Sequence, residues 1–463
     1  MPMNLSDTSL ASGLPAGESG LFCDLYELTM AHTYFRRKMF GTATFSLFIR
    51  SYPPNRGYLV SAGLEDVLDF LDKLRFGAEA LTYLAATGMF APDFLDYLSE
   101  LRFTGSVRAI PEGRLYFAGE PVLEITGPII EAQMVETFVI NQVNLQTLLA
   151  TKAARCVWAA HGRPVTDFGS RRAQGTDAAL KMARCGYIVG FQSTSNVLAA
   201  ARYGMPPSGT MAHSFISTFT SEIEAFRAYA QTFPDRAVLL IDTYDTLVGA
   251  QNAVAVAKEM EAEGHRLVAV RLDSGDFDDL SRRVRRIFDL AGLDYVKILA
   301  SGGLDEFEVE SLVHGGAPID IFGMGTKTGV SADAPWSDMA YKLVSYDGRP
   351  VMKLSQDKSY RPGDKQVFRL NDGEGMFDRD VIALEEELPA AGDPLLEPVM
   401  DQGKPIGAGP SLDQIRERFN HDFERLDGHF KVLGGAPRYT VGVSPALERL
   451  TAQVQSSIAS GSE

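Results

Sequence analysis

Between residues 164 and 329, short apolar runs alternate with segments whose apolar positions recur at helical spacing. The runs are PVTDFG, GYIVGFQ, SGTMAHSF, AVLLIDTYD, RLVAVRLDSGD, YVKILASGG and IDIFGMGTK, and the helix-like segments between them are 171–185, 194–203, 217–231, 245–263, 277–291 and 304–314. Such alternation is typical of parallel strands joined by helical crossovers. Seven runs within about 165 residues therefore predict an α/β fold with an irregular (β/α) barrel, and an open doubly wound sheet is the alternative.

The segments on either side of this region predict a second α/β domain. Residues 21–150 contain the helical segments LFCDLYELTMAHTYFRR, GLEDVLDFLDKL and PDFLDYLSEL, the half-buried strand pattern TATFSLFIRSY and the short-strand segment SVRAIPEGRLYFAGEPVLEITGPI. The long apolar segment MVETFVINQVNLQTLLATKAARCVWAA, at 134–160, predicts a helix that bridges this region and the next. After residue 345, YDGRPVMKLSQDKSYRPGDKQVFRL indicates strands and a turn, and LDQIRERFNHDFERL indicates an amphipathic helix. We expect a disordered tail at 1–20, an N-terminal domain at 21–150, a barrel domain at 151–345 and a C-terminal segment at 346–463. This last segment should pack on the N-terminal domain and fray at its end.

Composition narrows the class of protein. The chain has 463 residues, of which 45% are hydrophobic and 22% are charged, as in folded globular proteins. It has no apolar run of the ~18 residues that a membrane-spanning helix needs, and its polar N-terminus lacks the pattern of a signal peptide. Cys23, Cys156 and Cys185 cannot form a disulfide framework and favour a reducing cytoplasm. The net charge of −16 argues against a nucleic-acid-binding surface.

Glycine-rich turns follow the last two apolar runs. SGG at 301–303 comes after VKILA, and GMGTKTG at 323–329 comes after IDIF. Turns of this kind expose backbone N–H groups, and two of them on adjacent final strands of a barrel are a common phosphate site. Taken singly, each is also typical of an ordinary turn after a strand. Neither has the GxxxxGK[ST] or GxGxxG pattern of other nucleotide-binding loops, so we expect a barrel-type phosphate site.

Charged and aromatic side chains lie at the ends of other predicted strands. Arg271 and Asp273 alternate with apolar residues in VRLDSGD, so both point to one face, as a structural ion pair or as a functional pair. DFGSRR places Phe168 near Arg171, either as a core aromatic with a surface arginine or as a binding site for a flat anionic ring. Of the seven histidines, His213 alone lies at the end of a predicted barrel strand.

Other acidic and aromatic positions fit structural roles when the residues are considered alone. Asp24 and Asp276 each precede a predicted helix and suit helix capping, and Tyr26 suits a half-buried position. LLIDTYDT loosely resembles the diphosphosugar loop of Rossmann-like phosphoribosyltransferases. That loop has two adjacent acids, however, and Asp242 and Asp245 are not adjacent.

Taken together, several long motifs in a defined order resemble the nicotinate phosphoribosyltransferase family. They are DLYELTM, FSLFIRSYPPNRGYLVSAGLEDVLDFL, DFGSRRAQGTDAAL, GTMAHSF, VRLDSGD, ILASGGLDE, FGMGTKTG, YKLV and KLSQDKSYRPGDKQVFR, and they cover roughly residues 21–370. The resemblance implies an enzyme of NAD salvage that condenses nicotinate with 5-phosphoribosyl 1-diphosphate to give nicotinate mononucleotide and diphosphate. It also implies Mg²⁺, coupling to ATP hydrolysis through a phosphohistidine, and a cytoplasmic homodimer with a shared active site. The implied fold is the type II phosphoribosyltransferase barrel with a flanking α/β domain built from both ends of the chain.

The resemblance also implies a role for each matching position. His213 would be phosphorylated and would act catalytically with Arg271 and Asp273, and Asp273 would hold the ribose hydroxyls or the metal-bound diphosphate. The implied substrate-binding residues are Tyr26, Phe168, Arg171, Ser195, Thr210 and Asp24, with Tyr26 of the neighbouring subunit and Phe168 on opposite faces of the pyridine ring. The 5′-phosphate loops are matched by Gly302, Gly303, Gly325 and Thr326, and no protein side chain is assigned to the metal.

Ser195 bears on the choice between two related activities. It lies in GFQSTSN, where the nicotinamide-using relatives carry an aspartate, and the missing carboxylate favours the acid nicotinate as substrate. The alternatives are a nicotinamide phosphoribosyltransferase, a quinolinate-using relative, and a catalytically silent barrel that binds a phosphorylated ligand. Some family members carry a C-terminal zinc-binding cysteine cluster, but this chain has no cysteine after Cys185.

Overall fold

The computed structural model describes residues 13–354, 360–387 and 392–460, and this part of the chain forms two compact units. The first unit comprises residues 152–333. The second combines the described residues up to 151 with those from 334 onwards. None of the helices in these ranges is long and apolar enough to cross a membrane.

The helices and strands are numbered here in chain order. The α-helices are α1 Leu25–Arg36, α2 Leu64–Asp72, α3 Ala78–Ala86, α4 Pro92–Glu100, α5 Ile129–Met134, α6 Glu136–Ala159, α7 Thr176–Ile188, α8 Val197–Tyr203, α9 His213–Ser217, α10 Glu222–Thr232, α11 Thr246–Ala262, α12 Phe277–Leu290, α13 Glu306–His314, α14 Thr326–Gly329, α15 Leu412–Arg425 and α16 Pro445–Ser460. The strands are β1 Thr42–Ile49, β2 Leu59–Val60, β3 Ser106–Ala109, β4 Leu115–Tyr116, β5 Pro121–Pro128, β6 Val165–Asp167, β7 Ser193–Thr194, β8 Val238–Leu240, β9 Ala269–Leu272, β10 Lys297–Ser301, β11 Ile321–Met324, β12 Met339–Tyr346, β13 Arg349–Pro350, β14 Lys365–Asn371, β15 Phe377–Leu384, β16 Asp393–Pro394, β17 Glu397–Asp401, β18 Lys404–Pro405 and β19 Val441–Val443. Short 3₁₀ helices occupy Ala16–Leu21, Ser170–Arg172 and Gly428–Phe430.

The first unit is built on one parallel sheet in the order β7-β6-β11-β10-β9-β8. Strands that follow one another in the chain are neighbours, except β7 and β8, and the last strand, β11, pairs with the first, β6. This cyclic order is that of a barrel, whereas a doubly wound sheet reverses its order at a switch point. The sheet curls but stays open between β7 and β8. The predicted irregular (β/α) barrel is therefore confirmed.

Two of the predicted barrel strands differ from expectation, and both lie beside the opening. The first three residues of GYIVGFQ end α7, the next four form a turn and a short connection, and β7 after them is only two residues long. SGTMAHSF forms no strand, because pairing stops just before it, at a single bridge between Thr194 and Pro207. At this bridge Thr194 bonds the Pro206 carbonyl and the Ser208 N–H group, while Pro206 and Pro207 themselves have no N–H group to donate to a longer ladder.

The second unit has an antiparallel sheet in the order β13-β12-β1-β5-β3-β17-β18, which combines strands from both ends of the chain. A mixed sheet, β16-β14-β15-β19, and the pair β2-β4 complete the strands of this unit in the described ranges. Its hydrophobic core includes Leu47 of β1, Phe94 of α4, Ile125 of β5 and Phe138 of α6. Burial of these apolar side chains is the main stabilising contribution to this unit.

The alternating pattern of β1 predicts a half-buried strand, but the strand is buried on both faces. Every residue from Ala43 to Ile49 is buried, including the polar ones. The hydroxyl groups of Thr44 and Thr126 lie 3.0 Å apart, and Ser46 donates a hydrogen bond of 2.5 Å to Glu124. The polar positions of the pattern thus form a hydrogen-bonded row inside the protein, which removes the cost of burying them.

The two ends of the chain also differ from expectation. Residues 1–12 of the expected tail lie outside the described residues, but Ser19 is buried and its Oγ accepts a hydrogen bond of 3.1 Å from the Arg75 N–H group. Where frayed residues are expected at the C-terminus, α16 continues to Ser460 and buries Leu447. The N-terminal segment is held by the buried Ser19, and α16 is anchored by Leu447 near its start, whereas its residues 455–460 are exposed.

A buried ion network ties α15 to the strands of the second unit. The Arg369 guanidinium lies 2.6 Å from Asp380 and 3.3 Å from Asp422, a residue of α15, and all three side chains are almost fully buried. Asp422 also accepts hydrogen bonds from Arg114 Nε at 2.8 Å and from the Leu115 N–H group at 3.0 Å. Removing one carboxylate from such a network leaves buried cationic and polar donors without their partner.

We expect the substitution Asp422→Ala to lower the free energy of unfolding of this unit by about 3–5 kcal/mol. Asp378→Ala is the matched control, because Asp378 forms an exposed ion pair with Arg379 and its loss should cost at most about 1 kcal/mol. Urea unfolding followed by fluorescence measures both values. Equal losses in the two variants would contradict a stabilising role for the network.

Candidate active site

An open cleft of about 180 Å³ lies at the carboxyl edge of the parallel sheet. Parallel strands all end at the same edge, so the turns after β6, β9, β10 and β11 meet there although they are distant in sequence. The cleft is lined by Phe168, Arg171, Arg172, Arg271, Asp273, Ser301, Gly302, Gly303, Gly323, Gly325 and Thr326. Most of the residues singled out in the sequence are among them.

Arg271 is held in the cleft by hydrogen bonds from every guanidinium nitrogen. Nε donates to Ser301 Oγ at 2.8 Å, and one terminal nitrogen donates to Thr210 Oγ1 at 2.8 Å and to the Met211 carbonyl at 3.2 Å. The other terminal nitrogen donates to Asp273 Oδ1 at 2.6 Å. The arginine and the carboxylate are thus an ion pair that also lines the cleft, and Thr210 supports it.

Asp273 is a carboxylate that stays ionised at neutral pH. Its partial burial opposes ionisation, but hydrogen bonds from Arg271 and Ser301 outweigh this effect and hold the pKa of Asp273 below its ordinary value. Its backbone N–H group donates to Asp242 Oδ2 at 3.0 Å, which fixes the turn after β9. Asp273 therefore presents a negative charge to the cleft.

His213 reaches the same edge by a route that the sequence does not indicate. It is the first residue of the short helix α9 and does not end a barrel strand, which corrects that expectation. Its Nδ1 lies 3.1 Å from Thr243 Oγ1, and its Nε2 lies 3.8 Å from Asp273 Oδ2. The loop across the barrel opening brings His213 beside the Asp273 carboxylate, and 44% of the imidazole is exposed.

The turn after β6 positions Phe168 through the buried Asp167. The two carboxylate oxygens of Asp167 accept hydrogen bonds from the Gly169 N–H group at 2.7 Å and from Thr194 Oγ1 at 2.6 Å. Burial raises the pKa of Asp167, although these two donors oppose the shift. The Asp167 carbonyl accepts the N–H group of Ser195 at 2.8 Å, so the exposed Ser195 lies beside the turn that carries Phe168. Arg171 follows in an exposed 3₁₀ turn and lines the cleft.

The glycine turns allow the backbone to come close to the ion pair. Gly302 has a φ of +101°, and a Cβ atom at this position would lie 2.0 Å from the Asp273 carbonyl oxygen. Gly303 also has a positive φ, of +73°, but it faces open space. Gly325 and Thr326 come directly after β11, where Thr326 begins α14. Only glycine fits the backbone at Gly302, because both the φ value and the close contact exclude a side chain.

Asp24 and Tyr26 belong to the second unit and are not among the residues of this cleft. Asp24 lies at the N-cap position of α1, but its side chain makes no capping hydrogen bond and accepts one of 2.8 Å from Thr137 Oγ1. Tyr26 is 46% exposed, with its phenol near Glu136. Partial burial, together with the nearby carboxylates, raises the pKa of Tyr26, so the phenol stays protonated.

Some residues of the site were not selected in the sequence. Ser301 bridges Arg271 and Asp273, Asp242 orients the turn after β9, and Thr243 contacts His213. Ser301 and Asp242 do stand at strand ends in the sequence, and that position is the only signal that could have selected them. Asp276, by contrast, caps α12 by accepting the N–H groups of Asp278 and Asp279, as a structural reading predicts.

The fold and the cleft together define a class of protein. A (β/α) barrel whose carboxyl edge combines glycine turns with an arginine–carboxylate pair is typical of barrel enzymes that act on phosphorylated substrates. The sequence of the chain decides to which family of this class it belongs.

Comparison with known proteins identifies the family. Family models match residues 21–144 as the nicotinate phosphoribosyltransferase (NAPRTase) N-terminal domain, 164–369 as the NAPRTase family and 389–451 as its C-terminal domain. The chain is 50% identical over 417 residues to nicotinate phosphoribosyltransferase pncB2 of Mycobacterium tuberculosis, with 89% of each chain covered. It is 41% identical over 389 residues to the Bacillus subtilis nicotinate phosphoribosyltransferase, covering 82% of this chain and 79% of that one. The crystal structure of human nicotinic acid phosphoribosyltransferase superposes with a TM-score of 0.84 at 31% identity, covering 94% of this chain and 99% of that one. The chain belongs to the nicotinate phosphoribosyltransferase family, which confirms the resemblance.

We expect Gly302→Ala to weaken binding of inorganic phosphate to this cleft at least tenfold, because the new Cβ atom forces the β10 turn away from Asp273. Gly303→Ala is the matched control, since it has the same left-handed backbone cost without a steric clash. Titration calorimetry with phosphate compares the two variants with the unsubstituted protein. Similar affinities in both variants would show that the close backbone contact is unimportant for the site.

Proposed function

We propose that the carboxyl-edge cleft transfers a phosphoribosyl group from 5-phosphoribosyl 1-diphosphate to nicotinate, giving nicotinate mononucleotide and diphosphate in NAD salvage. The observation that carries the proposal is that the glycine turns, the Arg271–Asp273 pair and Phe168 line one cavity. The relatives named nicotinate phosphoribosyltransferase, at 50% and 41% identity, support the same activity. The protein is an enzyme of this reaction class.

The chemistry needs positioning and charge more than acid–base catalysis. The unprotonated pyridine nitrogen forms a bond to the anomeric carbon while the bond from that carbon to the diphosphate oxygen breaks. Positive charge develops on the ribose, where the ionised Asp273 stabilises it and holds the ribose hydroxyls. No general base is required, because the attacking nitrogen carries no proton.

We assign the ends of the substrate to different parts of the cleft. The 5′-phosphate is placed on the backbone N–H groups of the turns at Gly302, Gly303, Gly325 and Thr326. The pyridine ring is placed against Phe168, with Arg171 as the partner for the nicotinate carboxylate. Fixing both ends aligns the nitrogen with the bond that breaks.

Magnesium is proposed as the ion that accompanies the diphosphate. The described residues contain no group of three or more metal-ligating side chains, but Mg²⁺ at phosphate sites commonly uses only about one or two protein carboxylates. Asp242 fits this role, because its Oδ1 is buried without a hydrogen-bond partner while Oδ2 accepts the Ser274 hydroxyl at 2.6 Å. Asp242 and Asp273 would hold the ion, which would stabilise the negative charge of the leaving diphosphate.

Coupling to ATP is proposed to proceed through His213. Transfer of the terminal phosphoryl group forms a bond to a ring nitrogen and releases ADP. The support is geometric: the imidazole is 44% exposed, Thr243 orients its Nδ1, and its Nε2 faces Asp273. A phosphate on His213 would add negative charge beside this carboxylate and change the arrangement of the cleft.

A homodimer with a shared site is proposed to bring Tyr26 and Asp24 to the pyridine ring. Tyr26 is 46% exposed at the start of α1, so it is available to stack on a ring bound by a second copy. The domain division at 21–150, 151–345 and 346–463 is part of this proposal. The cytoplasm remains the proposed location, because only three cysteines among 463 residues favour a reducing compartment.

Nicotinate is preferred over nicotinamide because Ser195, on the turn beside Phe168, supplies no carboxylate to repel the substrate. A silent ligand-binding barrel would not require His213, Asp273 and Arg271 to be joined in one network. A quinolinate-using enzyme would need additional cationic groups for a second carboxylate. Arg172 lines the cleft and is one such group, so this alternative can be tested.

We expect the enzyme to form product from nicotinate and not from nicotinamide, and we expect Ser195→Asp to lower kcat/KM for nicotinate by about tenfold or more. The same substitution should increase the use of nicotinamide, since a carboxylate can accept its amide N–H groups. Ser311→Asp adds the same charge on the exposed face of α13 and serves as the control. Chromatographic product analysis with nicotinate, nicotinamide and quinolinate measures the preference. Unchanged specificity in Ser195→Asp would show that Ser195 is not part of the substrate pocket.

We expect His213→Ala to abolish the stimulation of turnover by ATP while a basal reaction with 5-phosphoribosyl 1-diphosphate continues. The reason is that the substitution removes the only proposed phosphoryl acceptor. His265→Ala, at a partly exposed histidine paired with Asp235, is the control and should keep the stimulation. Initial rates with and without ATP provide the measurement, and stimulation that survives in His213→Ala would refute the phosphohistidine.

A further inference from the structure

One hydroxyl group joins the two charged side chains of the cleft. Ser301 is the last residue of β10 and is 2% exposed. Its Oγ lies 2.5 Å from Asp273 Oδ1 and 2.8 Å from Arg271 Nε, while the Leu272 carbonyl oxygen is farther away, at 3.4 Å. The parallel pairing of β9 with β10 brings these groups together, with Arg271 opposite Leu299.

The direction of these hydrogen bonds follows from the chemistry of the groups. The Nε–H group of Arg271 can only donate, so Ser301 Oγ accepts from it and donates its own O–H in a hydrogen bond to the carboxylate of Asp273. Asp273 Oδ1 thus accepts from Ser301 and also from Arg271 at 2.6 Å. The second oxygen, Oδ2, points away from this pair of donors and lies 3.8 Å from His213 Nε2.

The two charged residues depend on Ser301 to different extents. Arg271 keeps its hydrogen bonds to Thr210 and to the Met211 carbonyl whether or not the hydroxyl is present. The Asp273 carboxylate, by contrast, has two donors on Oδ1, and loss of Ser301 leaves the Arg271 hydrogen bond as the one that holds this oxygen, so that the carboxylate can turn about it. Ser301 therefore determines the orientation of the carboxylate more than that of the guanidinium.

We propose that Ser301 is a positioning residue for phosphoribosyl transfer, whose hydroxyl fixes the Asp273 carboxylate against Arg271 and so presents Oδ2 to the ribose. This inference rests on the proposed function and deepens it, because it assigns a role to a residue that acts through Asp273. The hydroxyl proton and the accepting lone pair of Ser301 are used by its two neighbours. Ser301 therefore acts on the substrate through Asp273, whose carboxylate has one oxygen held in place and the other available.

The test compares Ser301→Ala, Ser301→Thr and Ser281→Ala in steady-state assays with nicotinate and 5-phosphoribosyl 1-diphosphate. We expect Ser301→Ala to lower kcat by about tenfold or more with KM values changed less than about threefold, since a misoriented carboxylate affects the transition state more than substrate binding. Ser301→Thr keeps the hydroxyl and should recover most of the rate. Ser281 is a fully buried serine of α12 that bonds a backbone carbonyl, so Ser281→Ala should have the wild-type rate.

A crystal structure of Ser301→Ala provides a readout that does not depend on activity. We expect the Asp273 carboxylate to rotate or to occupy two orientations while Arg271 stays bonded to Thr210. An unmoved carboxylate, or a kcat within about twofold of the wild type, would overturn the proposal. Absence of product with the wild-type enzyme would contradict the proposed function instead, and the crystal structure would still show whether Ser301 orients Asp273.

Discussion

The ion pair between Arg271 and Asp273 is the interaction on which the organisation of the cleft depends. A charged pair in a partly buried position is costly to remove from water, and further hydrogen bonds offset that cost. Here the pair recruits the hydroxyl groups of Ser301 and Thr210 and the backbone of the turns beside it. The turn at Gly302 lies so close to the backbone of Asp273 that no Cβ atom fits between them. The charges of the cleft and the turns around them are therefore held by the same set of contacts.

The opening of the barrel determines where His213 lies. A closed barrel would place a strand where Pro206 and Pro207 interrupt the pairing, and the residues that follow would then be bound in a ladder. Because the sheet stops there, the chain runs as a loop across the carboxyl edge and enters α9 at His213. The His213 imidazole, at the end of this loop, is about half exposed and still lies near Asp273. This combination suits a group proposed to react with one substrate and influence the binding of another.

Much of the fold could be predicted from the chain because it depends on local patterns. The alternation of apolar runs with helical segments led to the barrel, and helices such as α11 and α12 begin and end close to the predicted positions. The predictions that were wrong concern tertiary context. The alternation in β1 indicated one exposed face, but Glu124 on the neighbouring strand makes a buried position acceptable for Ser46. The segment around His213 was predicted as a strand, but its pairing in the described residues is limited to the single bridge between Thr194 and Pro207 just before it.

The sequence by itself determined the class of fold, the family and the residue types of the cleft, since these follow from periodicity, glycine turns and the motifs around Phe168 and Arg271. Only the tertiary structure showed that Ser301 joins Arg271 to Asp273, that Thr243 contacts His213 and that the barrel is open. The physical reason is that hydrogen bonds between adjacent parallel strands connect residues about thirty positions apart, and no local pattern records which partner each donor meets. The chain specifies the groups, and the pairing of its strands specifies their contacts.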